Sequence, residues 1–213
     1  MKAIVLLSGG IDSTVVLAMA KAAGRECIAL SFDYGQKHAV ELEHAKEIAQ
    51  HYSVPQKIIQ ISPACFEKTS LVNEIEAPKN RTAHEIADGG IPSTYVPARN
   101  TLFLAYAAGQ AEILNANEIH CGPNLLDRNP YPDCRPEFYT AFQQLLSFAT
   151  KQGAEGCPPR IVTPLIDWDK NRIVEEARKL NAPLEKTFSC YSPDQGAACG
   201  ACDACVLREE ALR

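Results

Sequence analysis

The chain opens on a short apolar run, Lys2 to Leu7, closed at once by Ser8-Gly9-Gly10, and the stretch that follows, Asp12 to Ala23, is rich in helix formers. The pattern predicts strand, tight loop, helix. Glu26 to Phe32 repeats the strand signal, Lys37 to His51 has amphipathic helical spacing, and Gln56 to Ile61 reads as a strand bounded by Pro55 and Pro63. Such β-α-β-α-β alternation predicts a Rossmann-like, doubly wound parallel sheet covered on both faces, with ligands bound beyond the carboxyl ends of its strands. Residues 68–96 show no sustained period and contain Gly89-Gly90 and Pro92, so a long loop with at most a helical fragment is expected there. Beyond it the pattern predicts a helix over Thr101 to Leu114, a short strand over Glu118 to Cys121 and an amphipathic helix over Arg135 to Thr150. An extended run from Arg160 to Leu165 and a helix from Asp169 to Leu180 complete the expected elements, with Asp167 and Asp169 read as loop and N-cap.

A length of 213 residues allows one α/β core, and 46% apolar with 22% charged residues is globular composition. No apolar run approaches the roughly 20 residues that span a bilayer. Met1 to Leu7 could begin a signal peptide, but Ser8 to Asp12 breaks the apolar stretch, so a buried strand and a cytoplasmic location are expected. A net charge of -5 opposes binding to a phosphate polymer, so a small-molecule partner is expected rather than nucleic acid or membrane. A homodimer is allowed.

Ser8-Gly9-Gly10-Ile11-Asp12-Ser13 lies between the first predicted strand and helix, where backbone N–H groups and the helix dipole converge on an anion. The glycines permit close backbone approach, Ser8 and Ser13 offer hydroxyls, and Asp12 is placed to hold Mg2+ that bridges phosphates. The bland alternative is a glycine turn that caps a helix. No lysine follows at Walker spacing and no Gly-x-Gly-x-x-Gly is present, so neither γ-phosphoryl transfer nor a dehydrogenase is supported. The loop resembles the pyrophosphate-binding motif of the PP-loop N-type ATP pyrophosphatases. That resemblance implies an adenine nucleotide alpha hydrolase-like fold and AMP-forming cleavage between the α- and β-phosphates of ATP.

Three further segments sharpen the match: Phe32-Asp33-Tyr34-Gly35-Gln36-Lys37-His38, Thr94-Tyr95-Val96-Pro97-Ala98-Arg99-Asn100-Thr101 and Tyr131-Pro132-Asp133-Cys134-Arg135-Pro136-Glu137-Phe138. With the loop they resemble the 7-cyano-7-deazaguanine synthase family over residues 2–208. The resemblance implies an ATP-dependent carbon–nitrogen ligase that converts 7-carboxy-7-deazaguanine and ammonia to a nitrile on the route to queuosine, by activating first a carboxylate and then an amide. In that reading Ser8, Gly9, Gly10, Asp12, Ser13, Phe32, Tyr34 and Lys37 bind ATP, and Lys37 and Arg99 are the catalytic cations. Arg99, Asn100, Asp127, Asp133 and Arg135 bind substrate.

Arg99 and Asn100 fall just inside a helix start after Pro97, beside the dipole's positive end, where Arg99 suits a carboxylate or departing pyrophosphate. Lys37 and His38 are expected to open the second helix. For His38 a structural hydrogen bond and a phosphate contact stay equally open. Asp133, after the turn at Pro132, suits the N–H groups of a guanine-like edge, and Cys134 reads as a packed cysteine ahead of a catalytic thiol. The sequence departs from the family at Arg128-Asn129-Pro130-Tyr131, where members continue Tyr-Ser-Gly-Tyr.

Of nine cysteines, Cys27, Cys65, Cys121, Cys134 and Cys157 are scattered, whereas Cys190-x8-Cys199-x2-Cys202-x2-Cys205 crowd together. Four soft thiolates at these spacings suit tetrahedral zinc; an iron–sulfur cluster would also accept four cysteines, and the family resemblance favours Zn2+. With every position filled by protein, the metal would be structural. Ala201 stands where many relatives carry a basic residue. The expected layout is a PP-loop ATP-binding domain with substrate loops over residues 1–180 and a small zinc-binding C-terminal appendage over 181–213. Rival readings are a thiolating or GMP-synthetase-like enzyme, a ligase that stops at the amide or uses another amine, and a non-catalytic nucleotide-binding module. The first is opposed by the lack of a glutaminase segment, of a basic appendage and of a Cys-x-x-Cys pair outside the cluster.

Overall fold

Strand β1 (Lys2–Leu6) forms the centre of the sheet because it is apolar on both faces: Ala3, Ile4 and Val5 are fully buried. In the computed structural model, which describes residues 1–66, 69–72, 76–88 and 90–213, β1 pairs in parallel with β2 (Glu26–Asp33), Ile4 opposite Ile28. On its other edge it pairs with β4 (Glu118–His120), Val5 opposite His120. β3 (Gln56–Gln60) and β5 (Arg160–Val162) close the two edges, so the order among the described residues is β3-β2-β1-β4-β5, all parallel. The chain winds outward from β1 in both directions. The order therefore reverses between β1 and β4, where the loops leaving the two strands diverge and open a crevice.

Helices cover both faces. α1 (Ile11–Ala22), α2 (Glu41–His51) and α7 (Lys170–Lys179) bury Val15, Val16, Ala45, Ile48, Ile173 and Ala177 against one face. α4 (Arg99–Leu114) and α5 (Pro136–Ala149) bury Leu104, Ala107, Ala111, Phe142 and Leu146 against the other. The doubly wound expectation holds. α3 (Ala83–Asp88) is the helical fragment within the long predicted loop, of which residues 68, 73–75 and 89 lie outside the described residues. α6 (Lys151–Ala154) is a short turn of helix, and α8 (Asp203–Leu212) ends the chain. Among the described residues no helix is long and apolar enough to cross a membrane.

Several boundaries move. Residues 37–40 form tight turns rather than the first turn of α2, because Ala39 N–H and Glu41 N–H bond back to Gln36 and His38 while Lys37 N–H is drawn to Leu71 O at 2.9 Å. Lys37 and His38 therefore do not open that helix. β5 stops at Val162, where Ile166 N–H closes a turn on Thr163 O. Asp169 caps α7 as expected, accepting Arg172 N–H at 2.8 Å.

At the sheet's opposite, amino-terminal edge the Glu118 carboxylate is buried and accepts Arg25 Nε at 2.7 Å, with Arg160 and His120 also donating. Burial alone would raise its pKa, but these donors outweigh it and hold the group at about 2. A depressed carboxylate contributes stability that is present above its unfolded value near 4.5 and is lost as pH falls from there toward 2. Glu118→Gln is therefore expected to cost roughly 1–3 kcal/mol at neutral pH and to lessen the acid sensitivity of urea midpoints below pH 5.

Candidate active site and cysteine cluster

The loop between β1 and α1 is shaped by its glycines. Gly9 has φ +94°, and a Cβ there would lie 2.4 Å from Glu41 O at the start of α2, so both conformation and space demand glycine. Gly9 O accepts Phe188 N–H at 2.9 Å, which ties the loop to the C-terminal segment. Ser13 Oγ donates to Gly10 O at 3.1 Å and lies 3.1 Å from Ser8 Oγ, while Ser8 N and Gly10 N point to Ser13 and Ser8 hydroxyls at 3.2 and 3.3 Å. These bonds preset a cradle of donors at the N-terminus of α1. Gly9→Ala is expected to cost roughly 2 kcal/mol or more and to weaken nucleotide binding, measured together by thermal melting and calorimetric titration.

Asp12, one residue inside α1, meets a partner from the far end of the chain. Lys170 Nζ at the start of α7 sits 2.8 and 2.6 Å from its two carboxylate oxygens, and Asn124 Nδ2 donates at 3.3 Å. Asp127 forms a capping box with Asn124, accepting its N–H at 3.1 Å. Burial lifts Asp127 to about 6, opposed by Lys170 and reinforced by Asp12. For Lys170, burial works to lower the pKa and is outweighed by the two aspartates, so the ammonium stays charged. Lys170 and Asn124 were not among the residues singled out from sequence; the available signal was a lysine directly after the N-cap of a helix that follows a strand.

This group lies in a cleft made of two depressions, of about 210 and 280 Å³, that share Ser8, Asp12, His38, Glu41, Asp127, Tyr131 and Tyr191. The inner one is lined by Phe32, Tyr34, Arg99, Asn100 and Phe103, with Phe32 stacked on Phe103 at 3.9 Å. Arg99 reaches Tyr34 OH at 3.5 Å and lies 5.9 Å above the Phe103 ring. The outer one is walled by Lys170, Phe188, Arg81, Pro130 and one side of α8.

The structure thus brings Ser8, Gly10, Asp12, Ser13, Phe32, Tyr34, Arg99, Asn100 and Asp127 to one cleft. Asp133 serves α4 instead: its Oδ2 accepts Asn100 N–H at 3.0 Å, while Asn100 Nδ2 donates to Asp133 O at 3.0 Å and Cys134 Sγ at 3.2 Å. Neither Lys37 nor Arg135 lines either depression; both are exposed, and Arg135 Nε donates to Arg128 O at 3.1 Å. The Cys134 thiol is pushed well above its usual range by burial and then by Asp127 and Asp133, which is the condition of a packed cysteine rather than a nucleophile. Arg128 of the divergent stretch is ion-paired with Asp167.

The four clustered cysteines converge, with their sulfurs all within 4.8 Å of one another. Backbone N–H groups aim at the sulfurs: Cys199 N to Cys190 Sγ at 3.2 Å, Tyr191 N to Cys202 Sγ and Cys202 N to Cys199 Sγ each at 3.4 Å. Burial alone would raise the Cys199 thiol, but the N–H groups of Ala201 and Cys202 and the neighbouring sulfurs bring it down to about 7. Such donors stabilise thiolates, and four converging cysteine sulfurs, unbridged among the described residues, form a centre that could hold a metal ion. The knuckle also grips the long loop, through Asn80 N to Ala201 O at 2.8 Å and Arg81 Nε to Asp203 Oδ1 at 3.0 Å.

With this geometry in view, comparison with known proteins is decisive. Residues 2–213 match the family described as Queuosine biosynthesis protein QueC. The chain belongs to this family. It is 45% identical to a 7-cyano-7-deazaguanine synthase of Leptospira interrogans over 213 residues, covering 100% of this chain and 86% of the relative. Relatives of the same name from Myxococcus xanthus and Thermosynechococcus vestitus are 46% and 49% identical, covering 98% and 97% of this chain and 91% and 89% of theirs. Among solved structures, a U34-tRNA thiolase from Methanococcus maripaludis superposes with TM-score 0.53 at 15% identity, covering 99% of this chain and 64% of the thiolase. NMN synthetase from Francisella tularensis gives 0.50 at 17% identity, covering 93% of this chain and 70% of the synthetase. These two likenesses show the shared fold.

Proposed function

We propose that the chain is an ATP-dependent carbon–nitrogen ligase that converts 7-carboxy-7-deazaguanine and ammonia to 7-cyano-7-deazaguanine. The observation that carries this reading is the Ser8–Ser13 cradle, with Asp12 held by Lys170 at the sheet's switch point, in a chain 45–49% identical to proteins of that name. The carboxylate oxygen of the substrate attacks the α-phosphorus of ATP and pyrophosphate leaves. Ammonia then attacks the acyl carbon, a proton is lost, AMP departs and an amide remains. The amide oxygen repeats the attack on a second ATP, pyrophosphate leaves, and loss of AMP and of both N–H protons gives the nitrile.

The cradle's N–H and hydroxyl groups receive the phosphates where the two depressions meet, each of which is large enough for one planar base. Lys170 replaces Lys37 as the cation we assign to the departing pyrophosphate, because its ammonium already lies beside the loop, whereas Lys37 is exposed and lines neither depression. Arg99, flanked by Tyr34 and Phe103, suits the substrate carboxylate. Asp127 suits the base's N–H edge; Asp133 and Asn100 position α4 below it. One carboxylate, Asp12, together with phosphate oxygens is the donor set that Mg2+ takes in nucleotide sites, and there the ion would neutralise phosphate charge. The four thiolates fit Zn2+ in a closed, structural site belonging to a segment over 181–213 that packs on the 1–180 domain. Scattered cysteines beside a metal-suited cluster fit a cytoplasmic setting, and the net charge of -5 supports a small-molecule substrate over nucleic acid. The adenylation step is tested by exchange of labelled pyrophosphate into ATP. Exchange is expected to require the deazaguanine acid and to proceed without ammonium; exchange indifferent to the acid refutes the assignment.

A further inference from the structure

The cleft holds a buried acid and a buried imidazole that the adenylation chemistry does not use. Glu41, at the start of α2, and His38, in the turn before it, line both depressions, with His38 Nε2 3.5 Å from Glu41 Oε1. Gln36 holds this pair in place. Its side chain accepts Tyr34 N–H at 2.8 Å, donates to Phe32 O at 3.0 Å and reaches Glu41 Oε1 at 3.3 Å, so the carboxyl is anchored to the end of β2. Among the described residues the hydrogen-bond donor on this carboxyl is Gln36, at Oε1, and His38 Nε2 lies 3.5 Å from the same oxygen, which leaves Oε2 for a ligand. His38 is 5% exposed, yet among the described residues its Nδ1 has no hydrogen-bond partner. A buried polar atom left unpaired is costly, and in the tautomer with its proton on Nε2, the nitrogen nearer Glu41, the orphan Nδ1 is a lone pair. Burial first, and then the charge of Arg99, lower the His38 pKa to about 4, so the ring is neutral and able to accept. Burial lifts Glu41 to about 8, opposed by Arg99 and by Gln36, which makes it a proton acceptor matched to near-neutral pH.

With Glu41 ionised the pair only accepts, and an acceptor pair of this size calls for a small cationic donor. We propose that Glu41 and His38 form the site that takes the nitrogen co-substrate as ammonium and removes its proton before attack. The inference rests on the ammonia-dependent reading above and names the site for that reactant. Arg99 lies close enough for its charge to act on both residues, so the nitrogen is delivered beside the group proposed to hold the substrate carboxylate. Ammonium donates to Glu41 Oε2 and His38 Nδ1, and one proton passes to the Glu41 carboxylate. The lone pair thus freed on nitrogen forms the bond to the acyl carbon, the carbon–oxygen bond to AMP breaks with its electron pair on oxygen, and the surplus proton on nitrogen passes to His38 Nδ1. Asp12, Asp127, Tyr131 and Tyr191 share the cleft, but Asp12 is held by Lys170 and Asp127 by its capping box.

The test uses the full-length, metal-loaded protein and the near-isosteric Glu41→Gln variant. The KM for ammonium is expected to rise on the order of tenfold or more, with KM for ATP and for the deazaguanine acid within about twofold. Acid-dependent pyrophosphate exchange persists in the variant, and hydroxylamine, uncharged at pH 7, still yields hydroxamate because it needs no proton removed beforehand. His38→Phe, which removes the orphan acceptor, raises the same KM. An unchanged ammonium dependence in both variants, or a loss confined to the acid's KM, overturns the site while leaving the ligase reading intact. Wild-type protein without acid-dependent exchange overturns the ligase reading and this site with it.

Discussion

Asp12→Ala is expected to abolish AMP formation in a protein that keeps its circular dichroism. Strand β1 and helix α1 are held by Val5, Val15 and Val16 and not by this side chain, so the fold persists. The loss falls on the site in two ways. The proposed metal and phosphate contacts disappear, and the Lys170 ammonium, 2.6 Å from Asp12 Oδ2 and mostly buried, loses the carboxylate that fixes its position. Removal of one preorganised electrostatic group commonly costs 10²–10³-fold in turnover, and this substitution disturbs two, so a fall of roughly 10³-fold or more is expected. Lys170→Ala should show a smaller fall of roughly 10²-fold, because the Asp12 carboxylate remains to serve the phosphates. Near-normal AMP release from Asp12→Ala would remove the cradle from the mechanism.

Cys202→Ser is expected to release the proposed metal and loosen two segments at once. Cys202 is fully buried, N-caps α8 and accepts Tyr191 N–H at 3.4 Å, so its sulfur links both halves of the knuckle. Because thiolate ligation is coupled to local folding, metal loss removes stability directly, and the thermal midpoint should drop by roughly 10 °C or more. The bonds from Asn80 and Arg81 to Ala201 and Asp203 predict that faster hydrogen exchange will appear around residues 79–81 as well as in α8. Activity then falls because Phe188 N–H no longer steadies Gly9 and one wall of the cleft is lost. Stoichiometric metal retained by Cys202→Ser, or a metal-free protein with unaltered exchange and rate, would contradict the structural assignment.

The phosphate loop was legible in the sequence because its constraints are local: Gly9 must adopt φ +94° and a serine must close the turn onto Gly10. The cysteine cluster was legible for the same reason, its spacing alone bringing four sulfurs together. What escaped depended on tertiary approach. Lys170 reaches Asp12 across 158 residues, and nothing near either position announces the other. The sequence reading gives Asp133 and Asn100 as substrate-binding residues; the packing of the Pro132 turn on α4 shows that they bond to each other. Lys37 was placed in a helix because Lys37 to His51 is amphipathic, whereas the bond from its N–H to Leu71 O holds the chain in turns until Glu41. α8 went unread because Asp203–Leu212 mixes charged and apolar residues without a clear stripe, and its burial comes from the knuckle and from Ala211 on α7's side of the sheet.

We propose that this cleft makes a nitrile from a carboxylate with two equivalents of ATP. The most direct measurement is the mass of the product formed by purified, metal-loaded protein from 7-carboxy-7-deazaguanine, ammonium and Mg-ATP, read together with AMP and pyrophosphate. The expected product has the mass of 7-cyano-7-deazaguanine, with two AMP released for each molecule formed. Accumulation of the amide with one AMP, an adduct of another amine, or ADP in place of AMP would contradict it.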